Sequence, residues 1–115
     1  MEKMRYNISV RLFTAGKCFG PGLATLLSLV RERHSLRAAA AEMGMAYSKA
    51  WRILRDCENA LGFELLDSTT GGRHGGGAVL TEEGAALLAD YESFCQKLRE
   101  QGDELFTECF RRWIE

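Results

Sequence analysis

The sequence is poor in the residues that punctuate and cross-link chains. It has one proline, Pro21, and two histidines, His34 and His74. Its four cysteines, Cys18, Cys57, Cys95 and Cys109, stand far apart with no C-x-x-C pair. That spacing argues against a structural metal site and favours buried, reduced thiols. With so few histidines, no nucleophile finds both a base and a group to orient that base, so enzyme chemistry is not expected. Apolar runs are short, and none approaches the ~20 residues that span a bilayer. The N-terminus lacks the continuous apolar stretch of a secretory leader, because Tyr6 to Phe13 alternates instead. A cytoplasmic protein with no membrane contact is the expectation.

Net charge is also small, −1 over 115 residues, which at first speaks against nucleic acid. The distribution reverses that impression. Residues 1–81 hold eleven Lys/Arg against seven Asp/Glu, an excess of four positive charges. Residues 82–115 hold four against nine, an excess of five negative charges. A basic body with an acidic last third can bind DNA, because the local field at the phosphates outweighs the total.

The length suits one domain, 1–115. Tyr6, Ile8, Val10 and Leu12 alternate with polar residues, the period of a half-buried strand. Pro21 sits where a helix would begin. Leu23, Leu26, Leu27 and Val30 then form a helical stripe ending near Arg33, with His34 placed to favour the negative end of the helix dipole. Ser35 can cap a second helix carrying Leu36, Ala39, Ala40 and Met43, which Gly44 ends. A third helix from Ala46 or Tyr47 to Leu61 turns Ala50, Ile53, Leu54, Cys57 and Leu61 inward. Two short strands follow, Phe63 to Ser68 and Ala78 to Leu80, joined by the glycine-rich loop Thr70 to Gly77. Thr81 caps a last helix, with Glu82 and Glu83 in its first turn. There Leu87, Tyr91, Phe94 and Leu98 step by four, three and four, a coiled-coil-like seam that Leu105 continues. Gly102 is placed to bend or break this helix.

The order strand, helix, helix, helix, strand, strand, helix predicts a mainly α fold with a small antiparallel sheet. It is a winged helix-turn-helix with a long C-terminal dimerisation helix: helix-turn-helix at about 36–61, wing at about 63–81 and dimerisation helix at about 82–112. The alanine-rich second helix allows close packing, Gly44 gives the sharp turn, and the third helix offers its N-terminal residues to a major groove. On it Arg52 can fork onto guanine O6 and N7. Ser48 suits a base edge or a phosphate, Lys49 a phosphate, and Tyr47 a phosphate or a thymine methyl. Arg55 reaches the backbone or pairs with Asp56 or Glu58, and Arg37 of the preceding helix joins the set. Trp51 reads better as packing than as a DNA contact. The loop fails as a phosphate-binding loop because no Lys-Ser/Thr follows its glycines, and as a dinucleotide fingerprint because a strand follows it. No cofactor is expected. As a wing it works, with glycines allowing close approach and Arg73 and His74 facing DNA. The rival reading of the same residues is a protein-interaction module that reuses the winged helix.

Three stretches carry a resemblance: Phe19-Gly20-Pro21-Gly22, Ala46-Tyr47-Ser48-Lys49-Ala50-Trp51, and Thr70-Gly71-Gly72-Arg73-His74-Gly75-Gly76-Gly77-Ala78-Val79-Leu80-Thr81. Together they resemble the N-terminal domain of ModE-type molybdate-responsive transcription regulators, and more distantly the DNA-binding domain of LysR-type regulators. The resemblance implies a homodimer on double-stranded, palindromic DNA. The sequence departs from the pattern at Ala46, where a capping serine is common, and at His74, where glycine is common. Full-length members carry a C-terminal molybdate-binding module, for which a chain ending at Glu115 has no room. The expectation is therefore either a stand-alone regulator or one whose signal comes from a separate sensor protein or a small effector.

Overall fold

A computed structural model describes residues 2–67 and 77–115. Among these, Leu12–Phe13 (β1) and Lys17–Phe19 (β2) pair antiparallel, Leu12 opposite Phe19 and Phe13 opposite Lys17. Three helices follow: Pro21–Arg33 (α1), Leu36–Glu42 (α2) and Tyr47–Leu61 (α3). Leu66–Asp67 (β3) and Val79–Leu80 (β4) form a second antiparallel pair. The helix Glu82–Cys109 (α4) and the short Arg111–Ile114 (α5) complete the chain. This is a mainly helical winged helix-turn-helix with two small sheets. No helix of the described residues is long and apolar enough to cross a membrane.

Local chemistry fixes the helix ends. Pro21 opens α1, its preset φ matching the first turn. His34 closes it in the left-handed region at φ 57°, its N–H bonded to Val30 O, and its own carbonyl then accepts Ala78 N–H at 2.9 Å. The end of α1 is thereby tied to the entry of β4. Ser35 Oγ accepts Ala38 N–H, the cap its sequence position predicts. Thr81 Oγ1 accepts Gly84 N–H at 2.9 Å and donates to Glu64 O at 2.6 Å, so one hydroxyl both starts α4 and anchors the segment before β3.

The core lies between α1, α2, α3 and the first half of α4. The predicted stripe Leu23, Leu26, Leu27 and Val30 is buried, and Ala39 and Ala40 let α2 approach closely. On α3, Ala50, Leu54 and Cys57 are buried, while Ile53 and Leu61 are half-buried. Burial and the neighbouring Cys18 thiol push the Cys57 thiol up to about 12, so it stays neutral at physiological pH. Of the four thiols expected to be buried, only Cys57 is; Cys18 and Cys95 are half-buried and Cys109 is exposed.

Three other expectations change. Residues 6–11 alternate but form no strand, and pairing begins only at Leu12. Their neighbour is the side of α4, whose backbone groups are already bonded, so they cannot build a ladder. Tyr91 Oη donates to Val10 O at 2.7 Å, and Tyr6 Oη donates to Asp103 Oδ1 at 2.6 Å. Of the described part of the predicted segment, residues 63–67, only Leu66 and Asp67 are strand. Gly102 lies inside α4, which runs unbroken for 28 residues. The Tyr6 ring explains the glycine: a Cβ at residue 102 would stand 2.6 Å from Tyr6 Oη.

Candidate nucleic-acid interface

The turn between α2 and α3 is built by backbone geometry. Gly44 adopts φ +68°, where side chains are strained, and Met45 N–H reaches back to Ala40 O at 2.9 Å. Ala46 caps α3 without a side-chain hydrogen bond, which leaves the first-turn N–H groups of that helix unclaimed by a side chain. From this end α3 presents Ser48, Lys49 and Arg52, all exposed. Ser48 and Arg52 are one turn apart, with Lys49 beside them on the same outward side.

The other predicted residues of the two helices gather alongside. Arg37, from α2, lays its guanidinium over the Tyr47 ring, Cζ 4.1 Å from the centroid. Tyr47 meets Trp51 edge to face, centroids 6.3 Å apart at 83°. Arg55 lies over Trp51, Cζ 4.9 Å from the centroid. Tyr47 and Trp51 are half-buried, whereas both arginines are exposed. Arg73 and His74 fall outside the described residues.

Charge is left available on this face. Among the described residues, ion pairs tie Arg31 to Glu92 at 3.5 Å, Arg33 to Glu42, Arg55 to Glu58 at 3.8 Å and Arg111 to Glu115 at 3.7 Å. Arg37, Lys49 and Arg52 enter none of them. Of the two carboxylates offered to Arg55 by the sequence, the neighbour is Glu58.

Glu58 is the residue that sequence reasoning missed. Its side chain is buried, and Oε2 accepts N–H bonds from Leu65 at 2.8 Å and Leu66 at 3.2 Å. It therefore fixes where the chain leaves α3 and enters β3, and with it the base of the predicted wing. The signal lay in its spacing: residue 58 follows Leu54 by four, which puts a carboxylate among the inward positions of α3. Leu88 was missed as well. It is fully buried against the body, on the stripe of α4 that also holds Gly84 and Tyr91.

The predicted seam residues of α4 divide. Phe94 and Leu105 are exposed, and Leu87 and Leu98 are half-buried. Tyr91 turns into its own chain, where its ring meets Phe19 at a centroid distance of 5.0 Å.

Residues 22–85 match the family model of bacterial regulatory helix-turn-helix proteins of the lysR family. The chain belongs to that family. The matched stretch of this lysR-family chain runs from the start of α1 to the first turn of α4, so it contains the turn, α3 and both wing strands. Similar proteins include the molybdenum-pterin-binding protein MopB of Rhodobacter capsulatus, 37% identical over 82 residues, covering 71% of this chain and 30% of that protein. The DNA-binding transcriptional dual regulator ModE of Escherichia coli K12 is 31% identical over 94 residues, covering 81% of this chain and 36% of that protein. The molybdenum transport protein ModE of Herbaspirillum seropedicae is 36% identical over 64 residues, 56% of this chain and 24% of that protein. The lysR-family chain thus spans about a third or less of the length of these relatives, and agrees in kind with the ModE-type resemblance in its sequence.

Proposed function

We propose that this chain is a sequence-specific double-stranded DNA-binding transcription regulator that acts as a homodimer through a single domain. In this reading α3 enters the major groove and the loop between β3 and β4 lies on the backbone or in the minor groove. The observation that carries it is the outward side of α3 near its N-terminus. Ser48, Lys49 and Arg52 stand exposed there, with no ion pair among the described residues to neutralise Lys49 or Arg52. Membership of a family of regulatory helix-turn-helix proteins supports it.

The roles follow from side-chain chemistry. Arg52 is the base reader, since its planar fork matches guanine O6 and N7. Ser48 assists at a base edge or phosphate, and Tyr47 lies at the edge of the reading face. Lys49, Arg37 and Arg55 neutralise phosphates, and Arg73 and His74 act from the wing loop. Leu87, Phe94, Leu98 and Leu105 face a second copy, with Tyr91 supporting that surface from behind. The two-fold axis then sets the reading helices ~34 Å apart, one turn of DNA.

Fluorescence anisotropy against the chain's own upstream DNA and a scrambled duplex, at two salt concentrations, tests the proposal. Tight, salt-sensitive binding with preference for the native site is expected. Arg52→Ala should weaken the preferred complex by about 1–3 kcal/mol and the scrambled one by less. Equal losses on both would reassign Arg52 to phosphate contact. The second reading, a protein-interaction module, is favoured by the exposed Phe110 and Trp113 near the acidic end. It predicts binding to a protein that barely responds to salt and no preference between the duplexes.

A further inference from the structure

We propose that Tyr47 and Trp51 are positioning residues whose rings hold Arg37 and Arg55 as a fixed pair of phosphate clamps on either side of the reading residues. The inference rests on the DNA-reading proposal and assigns Trp51 a part that packing alone does not.

The geometry is a column of two rings with a cation at each end: Arg37, Tyr47, Trp51, Arg55. Residues 47, 51 and 55 follow one another by four, so they form one row along α3. Arg37 reaches the row from α2, which makes the column a strap across the helix-turn-helix. Its faces are 4.1 and 4.9 Å from the guanidinium carbons, well inside cation–π range. The row runs along one edge of the face that holds Ser48 and Arg52, with Arg37 at its N-terminal end and Arg55 about two turns beyond Ser48. Both arginines are exposed, and a guanidinium held by its flat face against a ring can still offer N–H donors to a phosphate.

A long exposed arginine normally samples many rotamers and must be immobilised when it meets a phosphate. The rings do part of that ordering before DNA arrives. At the far end Arg55 also lies 3.8 Å from Glu58 Oε1, and Glu58 holds the start of β3. Clamp and wing base are thus referenced to the same carboxylate. A tryptophan that served only to fill space would have its ring in the core. Here it is half-buried, with one side given to a cation.

The test is a double-mutant cycle between Trp51→Leu and Arg55→Ala, read by affinity for a mixed-sequence duplex across a salt series. Thermal melting checks that each variant folds, and Trp51→Phe restores a ring with less bulk. Trp51→Leu should weaken binding ~2- to 5-fold on any duplex. Arg55→Ala should lower the salt slope by about one in the wild-type background and change little further once Trp51 is leucine. Trp51→Phe should recover most of the loss. Before any DNA is added, NMR should show the Arg55 side-chain protons shifted upfield by the ring in the wild type and released in Trp51→Leu. Multiplicative effects of the two substitutions, with wild-type binding still salt-sensitive, would overturn the column and leave the DNA-reading proposal standing. Salt-insensitive wild-type binding would overturn both.

Discussion

Glu58 is a carboxylate set among leucines, alanines and a thiol, a place where an unpaired charge would be costly. Its two N–H partners, Leu65 and Leu66, sit where the chain has left α3 and is just entering β3. The acceptor thus satisfies two buried donors that local secondary structure cannot. Glu58→Ala should cost about 3 kcal/mol in urea denaturation, because it orphans both donors; Glu58→Gln, which keeps one carbonyl acceptor, should cost about half. The exposed Arg55 adds little to either figure, since one partner of that pair is in water. Equal, small losses for both variants would mean that water replaces the carboxylate. Residues of this kind are only half legible in a sequence. The spacing from Leu54 to Glu58 says that a charge points inward, but the backbone groups it serves lie seven and eight residues downstream, at the entry to a two-residue strand too short to show periodicity. Trp51 is similar. Its place on the helix four residues before Arg55 is readable, whereas the other end of the column, Arg37 over Tyr47, depends on where α2 crosses.

At the scale of elements, helices were more readable than strands: β4 falls inside the predicted segment 78–80, while residues 6–11 form no strand. Helix bonds and caps close within a few residues, so Ser35, Gly62 and Thr81 carry their own instructions. A strand needs a partner, and alternation from Tyr6 to Leu12 cannot say that the neighbour is a helix. Two glycines of α4 express the same difference between local and distant causes. A Cβ on Gly84 would lie 2.2 Å from Leu65 O, a backbone atom held in place by Glu58 and Thr81. A Cβ on Gly102 would meet only the end of the Tyr6 side chain. Gly84→Ala should therefore lower the melting temperature strongly, since helix and wing base must separate. Gly102→Ala gains about 1 kcal/mol of helix propensity and gives up the Tyr6–Asp103 hydrogen bond. Its melting temperature should barely move, while hydrogen exchange speeds up in residues 6–10 alone. A larger fall for Gly102→Ala than for Gly84→Ala would contradict this ordering.

The whole molecule is elongated. Its radius of gyration is 17.3 Å and its longest extent 60 Å, where a compact chain of this length would have a radius near ~13 Å. The excess is α4, about 42 Å of helix of which the body covers only the first half. At about 100° per residue, Gly84, Leu88, Tyr91, Cys95, Gly102 and Phe106 share one side of it. The core covers the start of that side, and Tyr6 continues the cover, its ring 5.0 Å from Phe106. Leu87, Phe94, Leu98 and Leu105 fall within an arc of about 40° next to the covered side, with Leu87 packed in part against the core and Phe94 and Leu105 exposed. Phe94 and Leu105, three turns apart on this arc, are 51% and 55% exposed, more than a helix face bathed in water alone would favour. In the proposed homodimer, a second copy meeting this arc across a two-fold axis would bury all four residues and set the distance between the two α3 helices. The double substitution Phe94→Glu, Leu105→Glu should then leave the fold intact, since neither side chain supports its own core. Light scattering at micromolar concentration should fall from a dimer to a monomer mass. Affinity for an inverted-repeat duplex should drop toward that for a half-site. A wild-type monomer, or a dimer that survives both glutamates, would place the contact elsewhere and separate the reading of DNA from the pairing of copies.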